Sequence, residues 1–339
     1  MKREYVAVDG HKRTSQVVIM SEKGAIVKER NMASKEDAIK GFIGKKDGVY
    51  RIGVMEASRN WTVMYEWLED ILDEVKLAHP LKVRAIAEAK IKTDKIDART
   101  LAHLLRSDLI PEAYVPGKET REARCVLRHR MFLVKLRTMV KNRIHVLLDK
   151  YPVILRPPRT TDVFGATGLR WMKEIRDLSK TDRELLDESI LVYEALDERI
   201  ASSSEMVKKL GKDDHRVKLL ESVPGIGLFF AVLMANEIDD ISRFRTAGKL
   251  LSYAGLIPST YASGAKTFHG RLIKQGNKWI RWAMVEAVWP AVRKDASLCE
   301  YYARIKSRKG PNVAKIALVR RLLTIIYRML RQGRRYEVR

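Results

Sequence analysis

The sequence predicts an α/β N-terminal domain over residues 1–115, a long-helix region with coiled-coil patterning over 116–213, and an all-α C-terminal domain over 214–339. Three observations predict it. Short β-branched runs crowd the N-terminal stretch. Apolar residues recur at spacings of three and four from about residue 117 onward. A glycine-bearing turn, Pro224-Gly225-Ile226-Gly227, separates two further helical patterns.

Strand runs lie at Tyr5 to Val8, Gln16 to Met20, Ala25 to Glu29, Arg51 to Met55 and Val75 to Ala78. Turns at His11 to Thr14, Glu22-Lys23-Gly24 and Lys45-Lys46-Asp47-Gly48 separate the first four. Between the last two runs, Trp61, Met64, Tyr65, Leu68, Ile71 and Leu72 follow a helical period. Three meandering strands followed by strand–helix–strand predict a mixed sheet with helices on its faces. A long helix then carries Leu133, Leu136, Val140, Ile144 and Leu147, and Pro152, Pro157 and Pro158 end it. A second long helix carries Leu186, Ile190, Tyr193, Leu196 and Ile200 on one face and an acidic opposite face. The pattern suits a coiled coil, within or between chains, and equally an ordinary helical hairpin.

Charge narrows the function classes. The 339 residues include 66 Lys and Arg against 42 Asp and Glu, a net +24. So large an excess on a folded body calls for a polyanionic partner, and nucleic acid is the first candidate. Residues 117–150 hold 10 basic and 3 acidic residues, and residues 304–339 hold 12 and one. The latter stretch also carries Leu318, Leu322, Leu323 and Ile326, so it reads as a docked helix with a basic face. No apolar run approaches the roughly 18 residues of a spanning helix. The start, MKREYVAVDG, is too short and too charged for a signal peptide. The two cysteines, Cys125 and Cys299, fit neither a zinc cluster nor a disulfide framework and imply a reducing, cytoplasmic compartment.

Two constellations carry chemistry. Asp9 directly follows the first strand run and Glu56 directly follows the fourth. Ligand sites of open α/β sheets gather at strand ends. In Thr93-Asp94-Lys95-Ile96-Asp97-Ala98 the two acids are three apart, on one face of a helix that Thr93 would cap. Asp9, Glu56, Asp94 and Asp97 suit magnesium, two ions of which would clamp a reacting phosphodiester. A turn acid and surface ion pairs with neighbouring lysines account for the same residues. The second constellation is basic. Gly225 and Gly227 permit close approach of a helix start to phosphate, as in a helix-hairpin-helix turn, although a plain helix–helix turn looks the same. A loop at Tyr261-Ala262-Ser263-Gly264 is followed by Lys266, Arg271, Lys274 and Lys278, with Trp279 interleaved and His269 nearby. That mixture suits phosphate contact and base stacking, while Trp282 and Trp289 read as core.

The strand-ending Asp9, Glu56 and the TDKIDA stretch resemble the DEDD set of RuvC-like, ribonuclease-H-like nucleases. The ordered set is more specific: LLESVPGIG at 219–227, LLSYAGLIPSTYASG at 250–264 and GRLIKQGNKWIRWAM at 270–284 resemble the C-terminal transposase domain of the insertion-sequence one-ten family. Ser58 stands after Glu56-Ala57 where that family commonly has Thr-Gly. The resemblance implies a prokaryotic DNA transposase or recombinase guided by a bridge RNA, with donor and target DNA as partners. It further implies a homo-oligomer of two or four subunits whose two kinds of domain form composite sites across subunits. Ser263 matches the family's serine nucleophile. A Holliday-junction resolvase would need the four acids with water but not Ser263, and a non-enzymatic binder would need only the charge.

Overall fold

The computed structural model describes residues 2–44, 48–58, 60–87, 93–152, 158–263, 266–273 and 275–338. Of residues 261–263, 266, 267 and 269 it describes the backbone alone. The chain forms two compact units, Met1–Val115 and Pro116–Arg339.

The first unit is built on a five-stranded mixed sheet. Strands β1 (Arg3–Gly10), β2 (Thr14–Ser21) and β3 (Ile26–Ala33) form an antiparallel meander. Helix α1 (Glu36–Ile43) leads to β4 (Tyr50–Glu56), and α2 (Trp61–Glu69) leads to β5 (Glu74–Ala78). Strands β4 and β5 add in parallel on the other side of β1, for the order β3-β2-β1-β4-β5. Helices α3 (Pro80–Ile86) and α4 (Asp94–Arg106) complete the unit.

Side-chain alternation explains why the centres of β1 and β2, residues 5–8 and 17–20, are unbroken apolar runs. Val6, Val8, Val17, Ile19 and Met55 meet Ile39, Ile43, Met64 and Leu68 from α1 and α2 on one face. Tyr5, Ala7, Val18, Met20 and Val54 meet Ala98, Leu101, Ala102 and Leu105 of α4 on the other. A strand covered on both faces cannot show an apolar–polar alternation, so it reads as a continuous apolar run.

The second unit is mostly helical. Helices α5 (Lys118–Leu148), α6 (Ala166–Glu174) and α7 (Lys180–Gly211) open it. Arg130 donates to Ser204 at 2.9 Å, Arg137 pairs with Asp197, and Lys150 reaches Asp182 at 3.1 Å. Numbers that rise along α5 fall along α7, so the two run antiparallel within one chain. The acidic face of α7 thus absorbs part of the α5 charge. An exposed stripe on α5, Phe132, Met139 and Val146 at heptad spacing, is left outside this pairing.

Helices α8 (His215–Glu221) and α9 (Leu228–Ile238) flank the PGIG turn, and a 3₁₀ turn, Ile241–Arg243, precedes α10 (Ala247–Tyr253). Strands β6 (Pro258–Ser263) and β7 (Lys266–Leu272) then pair antiparallel, before α11 (Lys278–Lys294), α12 (Ala296–Lys309) and α13 (Pro311–Gln332). The expected all-α C-terminal part is corrected here, because the stretch expected as a loop forms a hairpin. Thr260, Tyr261, Thr267 and Phe268 are β-branched or aromatic and flank a tight connection, which favours paired strands over helix. Residues Val232, Leu233 and Met234 of α9 are fully buried among α5, α7, α8 and α11, which is why α9 is apolar all round. Trp282 packs edge-on against Phe230, with centroids 4.8 Å apart. Trp289 departs from its expected core position: it is 44% exposed, with its edge on Tyr302 and Lys315 above it. Among the described residues no helix is long and apolar enough to cross a membrane.

Candidate functional site: a carboxylate cluster and a basic hairpin

Strand parity assembles the acid cluster. Asp9 has the parity of Tyr5 and Ala7, and Glu56 that of Val54, so both belong to the face that α4 covers. The β1–β4 register ends at Val8 opposite Met55, and Asp9 and Glu56 are the next residues on their strands. Above them stands the first turn of α4. Thr93 caps it by accepting from the Ile96 N–H at 3.3 Å, and Asp94 and Asp97 occupy the turn where the helix dipole favours negative charge.

Asp9 is only 7% exposed, and its carboxylate makes no hydrogen bond among the described residues. Burial pushes its carboxyl up from 3.8 to about 6; His11 opposes that shift, while the charges of Asp94, Asp97 and Glu56 add to it. Three of the expected acids therefore act electrostatically on the fourth, Asp9. His11, absent from the expected set, lies between two of them. Its Nε2 is 3.3 Å from Asp94 Oδ1 and 3.7 Å from Asp9 Oδ2. Its turn is held by Ser34 Oγ, which donates to the His11 carbonyl at 2.8 Å, and by Asn60 Nδ2 at 3.3 Å. The ligating atoms of Asp9, His11 and Asp94 all lie within 4.8 Å of one another, a span that one divalent cation bridges. A nearly buried carboxylate without a hydrogen bond, crowded by like charge, fits a cation as its missing partner.

A second contact that the sequence did not reveal holds α4 in place. Arg99 grips Glu29 of β3 through two bonds of 2.8 and 2.7 Å, and Lys95 reaches the same carboxylate at 2.8 Å. The Arg99 bond, followed by that of Lys95, brings the Glu29 carboxyl down to about 2. Lys95 and Arg99 are one helical turn apart, on the helix that carries Asp94 and Asp97. Glu29→Ala is expected to weaken divalent-cation affinity several-fold in a calorimetric titration while leaving the thermal midpoint nearly unchanged. A large loss of stability with unaltered affinity would contradict this positioning role.

The second constellation belongs to the other unit. Ser263 ends β6 opposite Lys266, the first residue of β7. Their side chains, with Gly264 and Lys274, lie outside the described residues. Arg271 and Lys278 are exposed, and the Lys278 ammonium sits 5.0 Å above Trp279. Phe268, 69% exposed on the same hairpin, was not singled out by the sequence. Gly225 has a φ of +89°, and a Cβ there would come within 2.7 Å of the Ala287 carbonyl, so this glycine serves packing on α11. Gly227 is exposed at the start of α9.

A buried acid anchors the segment that follows the hairpin. Glu237 is fully buried, accepts from Arg128 at 2.8 Å and from Asn277 Nδ2 at 2.7 Å, and has Arg124 at 3.6 Å. Asn277 in turn caps α11, accepting from the Trp279 and Ile280 N–H groups. Removing one partner of a buried ion pair leaves charge unmatched, so Glu237→Ala is expected to cost about 3 kcal/mol in denaturant unfolding. A cost within error of zero would show that the network carries no such load.

Comparison with known proteins agrees with this build. A model of DEDD transposases of the IS110 group matches residues 6–152, and the transposase IS116/IS110/IS902 family matches residues 217–303. The transposase for insertion sequence element IS1111A from Coxiella burnetii is 25% identical over 292 residues, 84% of this chain and 79% of the relative. The insertion element IS116 protein of Streptomyces clavuligerus is 25% identical over 291 residues, 72% of each chain. The pilin gene-inverting protein of Moraxella bovis is 28% identical over 296 residues, 82% of this chain and 79% of that one. The class is thus a DNA transposase or recombinase. Both matched stretches, 6–152 and 217–303, are similar to transposases of the IS110 group, and the DEDD type of the first implies a divalent cation.

Proposed function

We propose that this protein recombines DNA under the guidance of a structured bridge RNA, with Asp9, Glu56, Asp94 and Asp97 as the metal-binding DEDD set of a RuvC-like domain and Ser263 as the nucleophile. The observation that carries this is the convergence of Glu56, at the end of the neighbouring strand, and of Asp94 and Asp97, on the first turn of α4, upon the nearly buried Asp9. Oxygen donors dominate the set, which suits magnesium, and His11 would supply a nitrogen beside it. A bound cation would offset the carboxylate repulsion and stabilise charge on the phosphodiester oxygens. The Ser263 hydroxyl attacks phosphorus, the scissile oxygen leaves with a proton, and the phosphodiester is kept as a phosphoserine linkage. Strands can then be rejoined without an external energy source.

Arg271, Lys278, Lys266 and Lys274 would hold the strand by its phosphates, with Phe268 open to a base. The turn around Gly225 and Gly227 would act as a helix-hairpin-helix grip on the DNA backbone. The exposed α5 stripe of Phe132, Met139 and Val146 supports assembly into an oligomer through long helices. With sequence selected by pairing to RNA, the protein needs to read only shape and backbone.

The test is the fate of cut DNA ends. Incubation with the flanking DNA of the gene, its transcript and magnesium should yield ends with protein covalently attached. Free ends would favour water as the nucleophile. No breaks, together with no preference for the flanking transcript over random RNA, would reject the proposal.

A further inference from the structure

The last turn of the second unit forms a cationic cleft that neither the acids nor the serine hairpin uses. After α13 the chain turns at Gly333, where φ is +66°, and runs back beside the start of α12. Tyr336 ties this return segment down. Its N–H donates to Ser222 Oγ at 2.9 Å and its hydroxyl to Asp295 Oδ2 at 2.7 Å. The space enclosed is a cleft of about 540 Å³. Four arginines line it: Arg321, Arg328, Arg334 and Arg335. Every cation on its wall is an arginine, although the chain as a whole is rich in lysine. Of the two acids there, Asp295 is already engaged, by Tyr336 and by the Leu298 N–H at 2.9 Å; the other is Glu337.

Arg321 is braced, with its guanidinium 4.4 Å over the Tyr301 ring and a 3.4 Å bond to Ser297 Oγ. The side chains of Arg328, Arg334 and Arg335 make no hydrogen bond or ion pair among the described residues. Three exposed guanidinium groups without a hydrogen bond or ion pair thus line one cleft, with Glu337 as the one acid there that Tyr336 does not engage. The fork of a guanidinium matches phosphate oxygens in pairs. A cleft of this size, walled by several such forks, accommodates a run of linked phosphates better than a single one. We propose that this cleft binds the phosphodiester backbone of a nucleic acid and forms an anchoring site separate from the serine hairpin. The choice of polyanion rests on the function proposed above; the geometry of the cleft does not.

The test measures binding by the full chain, with no cleavage step. A DNA duplex and an RNA hairpin with equal numbers of phosphates are titrated over a salt series. The pair Arg328→Ala with Arg335→Ala is compared with Lys306→Ala with Arg308→Ala, which removes equal charge from exposed residues outside the cleft. The cleft variant should lose about tenfold or more in affinity, and its duplex salt slope should shrink by about two. A loss for the duplex alone assigns the cleft to DNA, for the hairpin alone to RNA, and for both to backbone of either kind. An equal loss in the control variant, or none in the cleft variant, overturns the site. If the unaltered chain binds neither nucleic acid, the proposed function falls with it; if binding is normal and only recombination fails, the cleft stands.

Discussion

Asp9→Asn is expected to abolish strand cleavage and, in the presence of a chelator at pH 7, to make the protein more stable. The two effects have one cause. The Asp9 carboxyl is raised from 3.8 to about 6 in the fold, chiefly by burial. Below about pH 4 it is protonated in both the folded and unfolded states and contributes nothing to pH dependence. Between 3.8 and about 6 the unfolded state loses its proton first, so stability falls as pH rises. At pH 7 the whole penalty is present, roughly 2–3 kcal/mol for a shift of this size. Asparagine keeps the shape and removes the charge, so the gain over the native chain should be small near pH 4 and largest at pH 7. A divalent cation should stabilise the native chain by binding only its folded state and leave the variant unmoved. Denaturant midpoints with and without magnesium, beside a cleavage assay, check all three effects. Cleavage by Asp9→Asn, or a variant less stable than the native chain at pH 7 in chelator, would reject the role of this carboxylate.

Ser263→Ala should leave nucleic-acid binding intact and remove the covalent protein–DNA adduct. Loss of a nucleophile that acts in concert with its activating groups lowers turnover by about 10⁴-fold or more. A serine hydroxyl is a weak nucleophile at neutral pH and needs a base or a metal to activate it. From 259 to 281 the sequence holds His269 and five basic residues but no acid, so under the proposed function a bound cation would supply the activation. Peptide mapping of the trapped adduct identifies the attacking residue. An adduct on another side chain, or unaltered recombination by Ser263→Ala, would return the role of nucleophile to water.

The sequence by itself determined the five strands of the first unit, the long helices and the capped start of α4. Each of these is written locally: short apolar runs for β1 and β4, a period near 3.6 for α5 and α7, and Thr93 three residues before Ile96. Parity even places Asp9 with Ala7 and Glu56 with Val54, although the sequence does not say that those two faces are one. Only the tertiary structure decided that β4 pairs beside β1, that His11 lies between Asp9 and Asp94, and that Glu29 holds Lys95 and Arg99. It also decided that Asp197, Asp182 and Glu237 absorb charge over 117–150 that looked free for nucleic acid, that Trp289 faces solvent, and that the stretch around Ser263 is a hairpin. The division has a physical reason. Backbone geometry repeats over a few residues and leaves its period in the chain, whereas ion pairs, burial and the proton affinity of Asp9 depend on which distant surfaces meet.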